Sequence, residues 1–259
     1  MRRREDLLAA LTGTALVVVA IGAWHAYVTA FEVSAFILPA PAQVAEAWWA
    51  LLREPAAWRH SWVTAYETLV GFVIATVLGV AFGTVLGKLR WLERALNPFI
   101  VASQVVPKIA LVPLFVVWFG FGITTKVIVA AVLAFFPVFS NTLLGVKSVD
   151  PGHRDVMRSL NAGRLDGFLR LELPSALPYI LTGMEVGVVL ALIGAVVGEY
   201  LGGNEGLGYL AVASMNAYDT ARLFAVILQL SLLGLVLYAA VGALRRLVIP
   251  WHESAAPRL

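Results

Sequence analysis

Three stretches of this chain, Leu7–Val28, 127–146 and Leu223–Leu244, contain no Lys, Arg, Asp or Glu. Roughly 20 consecutive apolar residues suffice to cross the hydrocarbon layer of a bilayer as a helix. Trp62–Gly87 and Tyr179–Tyr200 are runs of the same kind, carrying only Glu67 in the first and Glu185 and Glu199 in the second. Composition agrees with the runs. Of 259 residues 60% are hydrophobic and 14% charged, whereas a soluble domain carries about a quarter charged residues. The chain reads as an all-α, polytopic membrane protein.

The third span, Phe99–Phe121, is irregular: Phe99–Val106 is followed by Pro107 and Lys108, then by Ile109–Phe121 with Pro113 inside. Proline removes a backbone donor and kinks a helix. Broken backbone at membrane depth persists only where it is buried in protein or lines a cavity. Pro107, Lys108 and Pro113 are therefore candidate pathway residues, with Lys108 either snorkelling to the cytoplasmic surface or facing the pathway. Gly79, Gly83 and Gly87 repeat every four residues on one helical face, and Gly183/Gly187 and Gly194/Gly198 repeat the spacing in the fifth span. Such small-residue faces let helices approach closely in lipid. Glu185 and Glu199 are the two acids of that span, and a carboxylate in lipid is usually functional or paired. Glu199 either contacts a solute or sits at the interface.

The N-terminus, MRRRED before an apolar run, has the look of a signal peptide. Leu7–Tyr27 exceeds the ~7–15-residue apolar core of such peptides and no A-x-A site closes it, so an uncleaved first span is expected. Between the first two spans, Trp48, Trp49, Trp58 and Trp62 suit an interfacial aromatic belt, with a short interfacial helix over 42–52. Gly120–Thr125 reads as a tight outer turn. With both termini inside, the inner segments hold Arg2–Arg4, Lys88, Arg90, Arg94, Lys147, Arg154, Arg158, Arg164, Arg170, Arg245, Arg246 and Arg258, which is 14 of the 19 basic residues. This bias sets six spans with both ends in the cytoplasm, and it explains the net charge of +3 by topology rather than by nucleic acid. No cysteine is present, which excludes disulfides and thiolate chemistry. His25, His60, His153 and His252 lack ligand spacing, so no metal site is expected.

One charged island, Asp150–Pro178, separates the fourth and fifth spans within the connecting loop 147–178. Its apolar residues Val156, Leu160, Leu165, Phe168, Leu169 and Leu173 fall on a roughly helical period broken at Gly163, which predicts two short amphipathic helices at the cytoplasmic surface. The register of this island resembles the cytoplasmic signature of permease subunits of bacterial ATP-binding-cassette importers: E-A-A, three residues, G, nine residues, I, one residue, L-P. Asp155-Val156-Met157 stands at E-A-A, Asn161 at the glycine, Leu171 at the isoleucine, and Leu173-Pro174 matches as it stands. Asn accepts the positive φ of such a turn better than most residues. Within that family the segments Pro107–Gly122, Ser148–Met184 and Val196–Leu210 resemble the nitrate/sulfonate/taurine-type branch, and the likeness covers roughly Leu38–Leu244.

The resemblance implies a pair of permease copies in the bacterial inner membrane, each gripping a cytoplasmic ATPase through a coupling loop. Asp155, Val156, Met157, Arg158, Leu160, Asn161, Ala162, Gly163, Leu171, Leu173 and Pro174 would form that contact. It further implies a periplasmic or lipid-anchored solute-binding protein and a small anionic cargo such as a sulfonate, taurine or nitrate; similar permeases serve pyrimidine precursors, riboflavin or aromatic acids. The glycine-rich Leu201–Tyr209 is then either a lip that meets the binding protein or an ordinary turn. The chain itself has no phosphate-binding loop: Gly83–Lys88 has three residues between its glycines and no Ser/Thr after the lysine. ATP and Mg would belong to the partner. An ion-coupled secondary carrier or channel is the competing class, but it needs ion sites at the midplane, and the first, fourth and sixth spans carry no charge there.

Overall fold

A computed structural model describes residues 2–251 of the chain; His252 and Arg258 lie outside the described residues. Eleven α-helices and no strand appear among them: α1 (Arg2–Ala30), α2 (Pro41–Arg53), α3 (Pro55–Lys88), α4 (Arg90–Val105), α5 (Val112–Phe119), α6 (Ile123–Lys147), α7 (Pro151–Ser159), α8 (Arg164–Gly167), α9 (Leu173–Gly202), α10 (Leu207–Asn216) and α11 (Thr220–Val248). α1, α3, α6, α9 and α11 are long and apolar enough to cross a membrane. α4 and the segment Lys108–Phe119 form a sixth candidate span, bent by 82° at the break between them.

α6 is the hub, and its neighbours reach it through glycine. A Cβ on Gly79, Gly83 or Gly87 of α3 would stand 2.9, 2.7 and 2.7 Å from Val138, Thr142 and Val146 of α6. From the other side, a Cβ on Gly183, Gly187, Gly194 or Gly198 of α9 would meet Pro137, Val138, Ala130 and Lys126. Ala130 and Val138 are fully buried between these two faces. In lipid, where apolar burial drives nothing, close packing of this sort is what holds helices together. Gly194 is the tightest case against rigid backbone, with the Ala130 Cα 2.7 Å away. We expect Gly194→Ala to destabilise the detergent-solubilised chain by about 1–3 kcal/mol, while Gly22→Ala, with nothing within 4 Å, leaves the melting temperature unchanged.

Several boundaries differ from the hydropathy reading. α3 begins at Pro55 rather than Trp62 because Pro55 occupies a first-turn position, where its missing N–H costs nothing. α9 begins at Leu173 rather than Tyr179 and runs through Pro178. Pro174 and Pro178 cannot donate to the preceding turn, and the helix absorbs this with a π-helical turn at Phe168–Glu172, in which Leu173 N bonds Phe168 O. α8, that turn and α9 therefore form one continuous rod, Arg164–Gly202. Pro98 lies inside α4, and Pro113 opens α5 instead of kinking a helix. α10 lies within a stretch expected to be loop; its Leu207, Leu210 and Ala211 pack with Leu51, Ala57, Ala225 and Val226. α2 is not purely interfacial: it buries Val44 and Leu51, and Trp48 Nε1 donates to Gln229 Oε1 on α11 at 3.0 Å.

Candidate functional site

Three groups of residues are arranged along α6: the charged island at one end, a cavity halfway, and a buried polar network at the far end.

At the island end, the Asp150 carboxylate accepts a hydrogen bond from Gly152 N at 2.6 Å and caps α7. The chain reverses through Leu160–Gly163, where Asn161 adopts φ 52°, the left-handed conformation that a glycine would otherwise supply. The inner side of the island is tied down. Glu172 pairs with Lys88 at 2.8 Å and Arg154 at 3.9 Å. Lys88 also lies 3.9 Å over the Phe168 ring, Arg154 donates to Val146 O at 3.1 Å, and Leu173 packs on Val146, Ala176 and Ile180. The outer side is bare: Val156, Leu160, Leu165 and Leu169 are 55%, 70%, 69% and 51% exposed. Met157, Arg158, Ala162, Gly163 and Leu171 border a cleft of about 290 Å³ beside Lys88 and Arg154. Among the described residues Asp155 pairs only with its neighbour Arg158, at 3.0 Å. The apolar row thus lies at the end of the continuous rod Arg164–Gly202, with Leu165 and Leu169 on the rod itself.

Halfway along, the chain breaks at Pro107 and makes a 3-10 turn over Lys108–Leu111 before α5 starts. The Lys108 ammonium lies 4.4 Å over the Phe136 ring and 3.4 Å from Gln104 O. Phe136 is eleven residues from one end of α6 and thirteen from the other, which is about 16 and 20 Å at 1.5 Å per residue. Lys108 thus lies beside the middle of α6, on an open groove of about 360 Å³. Pro113 is one turn removed from it.

At the far end, the structure joins residues that sequence spacing kept apart. Lys126 donates to Glu67 Oε1 at 2.9 Å and to Glu205 O at 3.1 Å. Thr64 Oγ1 donates to Glu199 Oε1 at 2.6 Å and accepts from Leu207 N at 2.8 Å. Gly208 N donates to Glu199 Oε2 at 2.6 Å, and Gly206 N donates to His60 Nδ1 at 3.0 Å. Glu205 pairs with the exposed Arg59. Glu67, Lys126 and Glu199 are 0%, 4% and 1% exposed, so all three are enclosed by protein. The glycine-rich loop is an ordered cover on this network: Gly206 has φ 111° and a Cβ there would fall on the Glu199 carboxylate. Glu185 lies apart from the cavity, held by two hydrogen bonds from Arg245 Nη1, at 3.0 and 2.9 Å.

The family model described as "Binding-protein-dependent transport system inner membrane component" matches residues 75–250, and the chain belongs to this family. It is 38% identical over 231 residues to the riboflavin transport system permease protein of Chloroflexus aurantiacus, covering 89% of this chain and 86% of that protein. To the putative aliphatic sulfonates transport permease protein of Bacillus subtilis it is 31% identical over 244 residues, covering 94% and 88%. Among solved structures, a chain of the methionine ABC transporter MetNI in an inward-facing conformation matches with a TM-score of 0.66 at 19% identity, covering 75% of this chain and 98% of that one. This last likeness concerns the fold alone. The class is a transmembrane permease component of an ATP-binding-cassette importer.

Proposed function

We propose that two copies of this chain form the translocation path of an ATP-driven importer, with the island Asp150–Pro178 in the cytoplasm and docked in a separate ATPase. The observation that carries this reading is the exposed apolar row Val156, Leu160, Leu165 and Leu169 on a loop otherwise fixed by Glu172 to Lys88 and Arg154. A soluble face bearing four large apolar side chains on so small a loop marks a contact surface. ATP and Mg belong to that partner, and the chain acts by rigid-body coupling between two packed arrangements. A solute-binding protein delivers the cargo to the far end, where Glu205, Arg59 and the loop over Glu199 lie.

The cargo in this reading is a small anion of the sulfonate, taurine or nitrate kind, favoured by the resemblance of three separated segments to that branch. A second reading, a flat vitamin such as riboflavin, is favoured by the higher identity to the riboflavin permease. Reconstitution in proteoliposomes with the ATPase and binding protein separates them. ATP-dependent accumulation of taurine, methanesulfonate or nitrate is the expected result, and accumulation of riboflavin alone selects the second reading. Uptake that runs without ATP contradicts both.

A further inference from the structure

Lys108 occupies an unusual position for a charged group. Among the described residues it is the one lysine that meets no carboxylate: Lys88, Lys126 and Lys147 pair with Glu172, Glu67 and Glu93. A cation at the centre of a bilayer costs about 2.5–3.5 kcal/mol on insertion scales, and such residues persist where they pair or face a water-filled cavity. Lys108 has the cavity without the pair. That cavity is lined by Gln104, Lys108, Leu133, Phe136, Ser140 and Leu190, drawn from α4, the 3-10 turn, α6 and α9. Leu190 lies in the middle third of α9 as Phe136 does in α6, so the site is near the midplane whichever way the chain is oriented. No residue of α4 is buried; the helix stands off the bundle and leaves the cavity open beside it.

The composition of the site suits one ligand chemistry. A single ammonium supplies charge, Gln104 and Ser140 supply neutral hydrogen-bond donors, and Phe136, Leu133 and Leu190 supply an apolar wall. At about 360 Å³ it is in the size range of small-molecule pockets. The ring contact with Phe136 holds the ammonium in place by cation–π attraction without neutralising it, so an arriving anion meets an oriented, uncancelled charge in a low-dielectric wall, where a charge-assisted hydrogen bond is strongest.

We propose that Lys108 and the cavity between α4, α6 and α9 form a midplane site in the permease itself for the anionic group of the transported solute. The proposal rests on the importer reading. It makes the membrane subunit a second point of selection, after the binding protein, against solutes that lack a negative group.

The test uses the chain assembled with its ATPase in lipid nanodiscs, without binding protein, and methanesulfonate as the probe. Equilibrium binding is expected for the wild type and for Lys108→Arg, with a loss of at least about tenfold in Lys108→Met, the order expected when a charge-assisted hydrogen bond disappears. A second measurement needs no variant: methanesulfonate, but not uncharged dimethyl sulfone, is expected to slow modification of Lys108 by an amine-reactive reagent, read site by site by mass spectrometry. Binding that is absent from the wild type, binding that is unchanged in Lys108→Met, or labelling indifferent to the anion overturns the site. If the wild-type chain recovers no ATPase at all, the importer reading fails instead, so the two failures are distinguishable.

Discussion

Replacing Leu160 and Leu165 together by Asp is expected to abolish transport while leaving the chain in the membrane at its normal level. Both side chains are about 70% exposed, so neither contributes to the fold, and surface changes of this kind usually stay within about 0.5 kcal/mol. At a protein interface the same positions are apolar anchors. An anchor truncated at the centre of an interface costs about 2 kcal/mol or more, and two of them about 4, close to a thousandfold in affinity for the ATPase. The readout is paired: uptake in vesicles, and recovery of the ATPase with the tagged chain. Asp155→Arg acts on the same surface more gently, because it loses only an exposed pair with Arg158 worth at most about 1 kcal/mol. Normal uptake by the double variant would remove the island's coupling role.

The second large effect is at the opposite end. Lys126→Met should destabilise the chain by about 3–5 kcal/mol, since it leaves the fully buried Glu67 without a cation. The Glu67 carboxylate has no replacement: its Oε2 already lacks a hydrogen-bond partner among the described residues, and the nearby Glu199 is another carboxylate. Glu67→Met on top of Lys126→Met should recover most of the loss, because a buried ion pair replaced by apolar groups of similar size is often neutral. The remaining deficit is the Glu205 carbonyl, which loses its donor, at about 1 kcal/mol. Thermal unfolding in detergent measures all three chains. A single variant as stable as the wild type would show that the pair contributes nothing, and a double variant worse than the single would show that Glu67 has a second partner.

The sequence made the helices legible because lipid imposes a simple rule on them, and it made the glycine faces legible because a four-residue repeat leaves only one helical surface. The turn at Asn161 was legible too, from the register of the signature and the tolerance of Asn for positive φ. What escaped was pairing across the bundle. Lys126 and Glu67 are 59 residues apart, and Thr64 and Glu199 are 135 apart; periodicity says which face of a helix is apolar but not which helix it meets. Read alone, Glu199 near a span end looks interfacial, because nothing nearby in sequence announces the loop at Gly206 and Gly208 that folds over it. For Lys108 the sequence leaves two placements open; the 82° break and the contact with the Phe136 ring set it beside the middle of α6. α10 was hidden because its apolar run is too short to read as a span and too close to glycines to read as a helix.

Docking of the island in a separate ATPase is tested most directly by purifying the tagged chain from its native membrane in mild detergent and identifying what accompanies it. An ATP-binding-cassette ATPase recovered in equal amount, and lost in the Leu160→Asp/Leu165→Asp variant, is the predicted result. A preparation without any ATPase that still transports in vesicles lacking ATP would contradict the account and return the chain to the ion-coupled carriers.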